Sequence, residues 1–203
     1  MYSYTYDEET GGILLNSTPT VFSKEPRPVY APELDLLGFD KYWKYDKQSG
    51  APYMWAESVQ YWYRGKQVAK LKGGNLYEAP EIIIPEDSEG NPVQPEPDGG
   101  TLRPVDIEGM VNKNLDLLDI IENTTVKKIV AIYEKYKSKL DIFHVAFSGG
   151  KDSAVLLDLV KRALPKGSFV VVFGDTGMEF PDTYAAVEKE KQACEEDGTP
   201  FYV

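Results

Sequence analysis

Six consecutive residues suited to anion binding stand together in the chain, Ser148-Gly149-Gly150-Lys151-Asp152-Ser153. Glycines let the backbone turn sharply and approach a ligand closely. The first amides of a helix have no intrahelical partner and lie at the positive end of its dipole, so they bind anions. Two serine hydroxyls add hydrogen-bond donors and Lys151 adds a positive charge. The sequence therefore predicts a site for phosphate or pyrophosphate.

The elements around this run would place it between the end of a strand and the start of a helix. The apolar run 141–147 predicts a buried strand before it, and the next residues predict a helix. That helix carries its apolar residues at one-face spacing, namely Val155, Leu156, Leu159, Val160 and Ala163. A second apolar strand at 169–173, a helix from 181 to about 197 and a strand at 200–203 follow. This order is typical of an α/β fold whose parallel sheet is covered on both faces.

Two better-known phosphate-binding patterns are excluded. The Walker pattern needs a glycine and a serine or threonine where this chain has Val145 and Asp152. No Gly-x-Gly-x-x-Gly run occurs, so a dinucleotide-binding fingerprint is also absent. An ordinary strand-to-helix turn, with an aspartate near the helix start, is the alternative interpretation.

The run 148–153, coming after a strand, resembles the PP-loop of the adenine nucleotide alpha-hydrolase-like superfamily. A second motif follows the next strand and narrows the resemblance: Gly174-Asp175-Thr176-Gly177-Met178-Glu179-Phe180-Pro181-Asp182-Thr183-Tyr184. It is similar to the Asp-Thr-Gly…Phe-Pro-Glu-Thr-Tyr segment of the phosphoadenosine phosphosulfate (PAPS) reductase family, with Asp182 in place of the usual glutamate. The spacing of the two motifs fits one βαβ unit. The resemblance covers about residues 106–203, which is only the front part of that family's domain.

The resemblance implies a Rossmann-like sheet of the PP-loop (HUP-like) type with an adenine nucleotide at the carboxyl ends of its strands. The ligand would be ATP, PAPS or adenosine phosphosulfate (APS). The residues implied to hold phosphate or sulfate oxygens are Ser148, Gly149, Gly150, Lys151, Asp152 and Ser153. Those implied to lie beside the adenosine are Asp175, Thr176 and Gly177. If the ligand is ATP, Asp152 or Asp175 could instead help to position Mg²⁺, and no other metal site is expected.

The activity implied for a complete enzyme is an oxidoreductase or transferase reaction of sulfur metabolism. It would be sulfonucleotide reduction, or cleavage of ATP between its α- and β-phosphates. Two alternatives stay open. One is ATP-dependent sulfur modification of tRNA or DNA, as in some members of the family. The other is a nucleotide-binding module or fragment without catalysis of its own.

The chain also departs from the family. PAPS reductases carry a nucleophilic cysteine near their C-terminus and arginines that clamp the substrate, and neither is expected here. Cys194 lies among acidic residues that would raise its pKa, so we interpret it as a passive helix residue. His144, in the middle of a strand, is more simply a structural histidine than a catalytic base. The last predicted strand has no helix after it, which predicts a missing C-terminal segment or a partner that completes the sheet.

Three regions differ in composition. Residues 1–84, rich in tyrosine and tryptophan, predict a small β-rich domain, and residues 85–105 predict a solvated, mobile, acidic Pro/Gly linker before an α/β domain at 106–203. Within the α/β domain, apolar spacing predicts one helix before Asn123-Thr124, a plausible N-cap, and a second helix after it.

A hairpin is predicted within the first region, with strands at 58–63 and 67–71 around a glycine-containing turn. Its cations alternate with Tyr61, Trp62 and Tyr63. Interleaved aromatics and cations can stack bases and bind phosphates, so contact with nucleic acid is one hypothesis and a structural hairpin the other. The cations concerned are Arg64, Lys66, Lys70 and Lys72.

Composition excludes several classes of protein. The net charge of −11 argues against duplex nucleic acid bound across the whole surface, although a local basic patch stays possible. One cysteine and one histidine exclude an internal disulfide, a His/Cys zinc site and a four-thiolate iron–sulfur cluster. No apolar run approaches the roughly 20 residues that span a bilayer, and residues 1–9 do not resemble a signal peptide. We therefore expect a cytoplasmic protein without a membrane partner.

Overall fold

The structure, a computed structural model, describes residues 2–19, 25–75, 77–97 and 100–203. The chain divides into two compact units, residues 1–117 and residues 118–203. Each unit has its own hydrophobic core. Among the described residues, no helix is both long enough and apolar enough to cross a membrane.

The first unit contains two antiparallel sheets. The smaller pairs β1 with β2, and the larger has the strand order β3-β4-β5-β6-β7. The strands are β1 Tyr2–Tyr6, β2 Ile13–Pro19, β3 Arg27–Val29, β4 Met54–Glu57, β5 Gln60–Tyr63, β6 Lys66–Lys72 and β7 Glu81–Ile83. A helix α1, Ala31–Leu37, and a short 3-10 helix, Phe39–Lys41, connect β3 to β4. The predicted β-rich character of this region agrees with these elements.

The predicted hairpin is present as β5 and β6. Arg64 and Gly65 join the strands with φ angles of 46° and 83°. Two positive φ angles in a two-residue turn match the right-handed twist of the flanking strands. Along β5, Tyr61 and Tyr63 enter the core, whereas Trp62 points to the other face and stacks on Tyr6 with ring centroids 5.4 Å apart. The aromatic residues of this hairpin are therefore packing residues of the first unit.

Part of the segment predicted as a solvated, mobile linker packs on the first unit, whereas residues 86–92 are exposed as expected. Leu102 and Val105 are each only 3% exposed, and Glu96 is buried with 8% exposure. Backbone hydrogen bonds from Lys44 N to Gly100 O (2.8 Å) and from Leu102 N to Lys44 O (2.7 Å) fix the segment. The proline and acidic content of this segment predicted solvation. Glu96, Leu102 and Val105 are nevertheless buried, because they find partners in the first unit. The boundaries at 84 and 105 also differ from the division after residue 117.

One long helix, α2, occupies Ile107–Tyr136, where the sequence predicts two helices separated by an N-cap at Asn123-Thr124. Asn123 Nδ2 donates a 2.8 Å hydrogen bond to Asp119 O, and Thr125 Oγ1 donates one of 2.8 Å to Ile121 O. Both side chains thus bond to carbonyls of the preceding turn rather than to amides of a following one. The N-cap prediction is therefore wrong. The division between the two units falls within this helix.

The second unit holds the parallel sheet that the sequence predicts, and its strand order is β10-β9-β8. Its remaining elements are β8 His144–Ala146, α3 Lys151–Ala163, β9 Val170–Val172, α4 Pro181–Asp197 and β10 Phe201–Tyr202. Its core gathers Val145, Phe147, Leu157, Val160, Phe169, Val171, Phe173, Val187 and Cys194.

The expected cover on both faces of this sheet is not found among the described residues. Right-handed connections between successive neighbouring strands place their helices on the same face. On the face that the helices cover, Val145 and Val171 are buried. On the opposite face, Ala146 and Val172 are exposed. The predicted apolar face of α3 is also partly wrong, because Val155 and Leu156 are 60% and 44% exposed and Leu157 is buried instead.

Candidate functional site

The two motif segments meet the same edge of the parallel sheet. Phe147 N donates to Val172 O (2.9 Å) and Phe173 N donates to Tyr202 O (2.9 Å), so the ladder continues to the residue before each loop. Loop 148–153 then leads into α3, and loop 174–180 leads into α4. Both loops therefore leave from the carboxyl ends of neighbouring parallel strands, which is where α/β sheets bind ligands.

Loop 148–153 is a glycine turn that ends on the first turn of α3. Gly149 has a φ of +75°, a conformation that favours glycine, and Gly150 is the N-cap residue in an extended conformation. Ser153 Oγ donates to Gly150 O (2.9 Å) and accepts bonds from Ser148 N (3.2 Å) and Ser148 Oγ (3.1 Å). These bonds within the loop hold its two ends together.

The start of α3 has the donors that an anion needs. No side chain among the described residues caps this helix, and its first bond runs from Ala154 N to Gly150 O (3.1 Å). The amides of Asp152 and Ser153 consequently have no acceptor in the described part of the chain. Lys151 Nζ lies 2.8 Å from Asp152 Oδ1, and both side chains are exposed. The arrangement places amides, hydroxyls and an ammonium group at one helix terminus.

Loop 174–180 is organised around the Asp175 carboxylate. Asp175 Oδ1 accepts hydrogen bonds from Tyr184 Oη (2.7 Å) and from Gly177 N (2.8 Å). These two bonds, the tyrosine bond first, lower the pKa of Asp175, and the same contact raises the pKa of the Tyr184 phenol. Thr176 Oγ1 donates to Glu179 Oε1 (2.9 Å) and accepts a bond from Met178 N (3.3 Å). The loop is exposed to solvent, yet its polar groups are ordered by one another.

The first turn of α4 contacts both loops, which the sequence did not predict. A Cβ atom at Gly149 would lie 3.0 Å from Thr183 Cγ2 and 3.3 Å from Thr183 O. The next residue, Tyr184, holds Asp175. Loop 148–153 and residues 175–177 thus contact two neighbouring residues of α4, Thr183 and Tyr184. Both residues stand in the second sequence motif, but only the three-dimensional contacts show what they touch.

Asp152 and Asp175 do not belong to a metal-binding cluster among the described residues. Across the described ranges, no group of three or more His, Cys, Asp or Glu side chains could hold a metal ion. Asp152 and Asp175 stand in separate contacts, with Lys151 and with Tyr184 respectively. Mg²⁺ carried on nucleotide phosphates needs only one or two carboxylates, so either aspartate could still serve in that way.

His144 and Cys194 have no site built around them. His144 is exposed in the middle of β8. Cys194 is fully buried in α4, and burial is the largest of the effects that raise the pKa of its thiol, with Lys161 acting in the opposite direction. The interpretation of both residues as structural stays a prediction.

The four hairpin cations are not equivalent. Arg64 lies beneath the surface, with its side chain 9% exposed, and its Nη1 donates to Glu8 O and Glu9 O at 2.6 Å each. Its guanidinium is thus engaged within the first unit, and contact of Arg64 with nucleic acid stays a prediction. The three cations that are exposed are Lys66, Lys70 and Lys72.

Comparisons with known proteins find one family match within the second unit and two curated relatives. Residues 142–197 match the family model described as the phosphoadenosine phosphosulfate reductase domain. An uncharacterized protein of Methanocaldococcus jannaschii is 38% identical over 83 residues, which make up 41% of this chain and 20% of that protein. A second uncharacterized protein of the same organism is 46% identical over 79 residues, 39% of this chain and 16% of that protein. The chain thus aligns with a fifth or less of these relatives, and no solved structure matches it significantly.

Proposed function

We propose, from the premise that residues 142–197 belong to the phosphoadenosine phosphosulfate reductase domain family, that the second unit binds an adenine nucleotide at the carboxyl edge of its parallel sheet. The main support for this proposal is the set of groups at the start of α3. Uncapped amides, the glycine turn at 149–150 and the Lys151 ammonium stand together there. Phosphate and sulfate oxygens are the ligands that such a helix terminus accepts best.

The division of roles follows the two loops. Residues 148–153 would hold the phosphate or sulfate oxygens through backbone amides, two hydroxyls and Lys151. Residues 175–177 would lie beside the adenosine, where backbone groups and the Asp175 carboxylate can form hydrogen bonds with base or sugar. The fold proposed for the full domain is the Rossmann-like, HUP-type sheet of PP-loop proteins, of which β8, β9 and β10 would form part.

Two reactions of sulfur metabolism are compatible with this site. In sulfonucleotide reduction and in cleavage of ATP between its α- and β-phosphates, negative charge on phosphate or sulfate oxygens must be stabilised in the transition state. Donors that are already oriented at a helix terminus perform that task without reorganisation. We assign no catalytic nucleophile, because Cys194, the one cysteine of the sequence, is fully buried. Mg²⁺, where ATP is the ligand, would be held by the phosphates with Asp152 or Asp175 supplying one oxygen.

The competing proposal is a nucleotide-binding module whose chemistry is supplied by other residues or by a partner. Both proposals require nucleotide binding, and only the enzyme requires turnover. Isothermal titration with ATP, PAPS and APS, followed by a turnover assay on the same sample, separates them. Binding of one nucleotide without turnover supports the module, and product formation by this chain alone supports the enzyme.

Lys151→Ala tests the phosphate cradle directly. We expect a loss of nucleotide affinity of about 1–3 kcal/mol, the range for a charge-assisted contact. Lys189→Ala is the matched control, because Lys189 is an exposed lysine on the same unit and outside both loops. Equal affinity of the parent and Lys151→Ala, with Lys189→Ala also unchanged, would contradict the proposed cradle.

A further inference from the structure

The first turn of α4 touches both loops of the proposed site, although neither of the two residues that do so was among the predicted ligand contacts. Thr183 packs behind Gly149, where the chain has a φ of +75°. Tyr184 donates its phenol proton to Asp175 Oδ1 at 2.7 Å. Tyr184 lies nine positions after Asp175, so this bond spans the loop between β9 and α4.

The two oxygens of the Asp175 carboxylate have different surroundings. Its Oδ1 atom already accepts two hydrogen bonds, from Tyr184 Oη and from Gly177 N at 2.8 Å. Its Oδ2 atom accepts none from the residues that the structure describes. A carboxylate held through one oxygen presents the other at a fixed place, whereas an unheld aspartate side chain rotates among its rotamers.

We infer that Tyr184 is a positioning residue for the nucleotide site, which fixes the Asp175 carboxylate and, through Gly177 N, the backbone of residues 175–177. The inference rests on the proposed nucleotide binding and goes beyond it by assigning a residue that does not itself touch the ligand. The neighbouring residue Thr183, on the same turn of α4, packs against Gly149 of the phosphate-binding loop. One helical turn thereby sets the relative positions of the phosphate-binding and adenosine-binding segments.

Tyr184→Phe is the test, because it removes one hydroxyl and leaves the ring. We expect about a tenfold loss of nucleotide affinity, the size expected when one charge-assisted hydrogen bond that orders a binding loop is lost. Tyr136→Phe is the matched control, since the Tyr136 hydroxyl has no hydrogen bond to any residue in the described part of the chain. Affinity that is unchanged in Tyr184→Phe would overturn the inference while leaving the proposed function intact.

A second measurement does not depend on ligand. Carboxyl resonances of Asp175, followed by NMR against pH, report its pKa in the parent and in Tyr184→Phe. Loss of the phenol donor removes the first of the contacts that lower this pKa, so it should rise toward the ordinary aspartate value, and the Gly177 amide should exchange faster. If the parent binds no nucleotide, the proposed function fails. The positioning role then falls with it, and a shifted Asp175 titration shows only that Tyr184 holds this carboxylate. If the parent does bind nucleotide, an unchanged Asp175 titration in Tyr184→Phe overturns the positioning role alone.

Discussion

The two units use their polar groups in opposite ways. In the first unit, charged side chains are buried and form hydrogen bonds with distant parts of the same unit, as Glu96 does with Tyr63 and Arg103. In the second unit, the polar groups at the sheet edge are exposed and bond within their own loop or to the next helical turn. Residue type alone therefore does not indicate a ligand-binding site. The arginine and tyrosines of the hairpin maintain a fold, whereas the serines and glycines of loop 148–153 leave amides available to a ligand.

The largest effect should come from Glu96→Gln in the first unit. Burial alone would raise the pKa of Glu96, but hydrogen bonds from Arg103 and Tyr63 outweigh it and lower that pKa. Loss of the Glu96 charge should reduce the free energy of unfolding by about 2 kcal/mol, below the range for fully buried pairs because the Arg103 side chain is 61% exposed. Tryptophan fluorescence during urea unfolding measures it, since all three tryptophans lie in residues 1–117.

Glu89→Gln is the control for that measurement, because Glu89 is exposed in the same segment. Equal stability of the two variants would mean that the segment 85–105 is held by its apolar residues alone. The contrast between the units would then be weaker than the hydrogen bonds suggest.

A pH-dependent effect of about 2 kcal/mol is expected from Asp7. Burial alone would raise the pKa of this carboxylate, but bonds from Lys113 and Thr10 lower it to about 2. A lowered pKa stabilises the folded state above the unfolded value near 3.8, and that contribution is lost as the pH falls toward 2. Asp7→Asn should therefore flatten the fall in stability between pH 4 and about 2, measured by the same fluorescence. Asp116→Asn, at an exposed position, should keep the slope of the parent.

A smaller stability effect is expected at Gly149 in the second unit. Alanine there adopts a left-handed backbone conformation and its Cβ meets Thr183, so we expect a loss of about 1–2 kcal/mol in unfolding free energy. Far-UV circular dichroism of unfolding measures the stability, and titration calorimetry should show weaker nucleotide binding. Gly150→Ala is the matched variant, with a φ of −90° and only an ordinary 3.5 Å contact to Ser148 Oγ. If Gly150→Ala destabilises the chain as much as Gly149→Ala does, contact with α4 is not what restricts residue 149.

The smallest effect is expected from Lys66→Glu/Lys70→Glu in the hairpin. The lysines are exposed, but Tyr61 and Tyr63 are in the core and cannot stack on bases. We therefore expect little retention of single-stranded RNA by the parent and little change in the variant, measured by filter binding at low and physiological salt. Strong, salt-sensitive retention that the charge reversal abolishes would restore the nucleic-acid hypothesis.

Local signals predicted the second unit well. The glycine run between an apolar strand and a helix, and the second motif after the next strand, located both loops and the parallel sheet. The hairpin of the first unit was equally accessible, because its turn residues and alternating side chains are local features.

Long-range contacts explain what the sequence did not predict. Glu96 and Leu102 stand in a proline-rich acidic stretch, and only their partners across the first unit make them buried. Asn123 resembles an N-cap until its bond to the preceding turn is seen. Tyr184 was visible in a motif, but its bond to Asp175 depends on how β9 and α4 pack.

The close approach of Thr183 to Gly149 also constrains how this fold can vary. Relief of crowding by a smaller residue at position 183 would leave the left-handed conformation at position 149 unchanged. Glycine at 149 is therefore required by its own backbone conformation, whichever side chain stands at 183. A residue larger than threonine at 183 would, in addition, crowd the turn at 149.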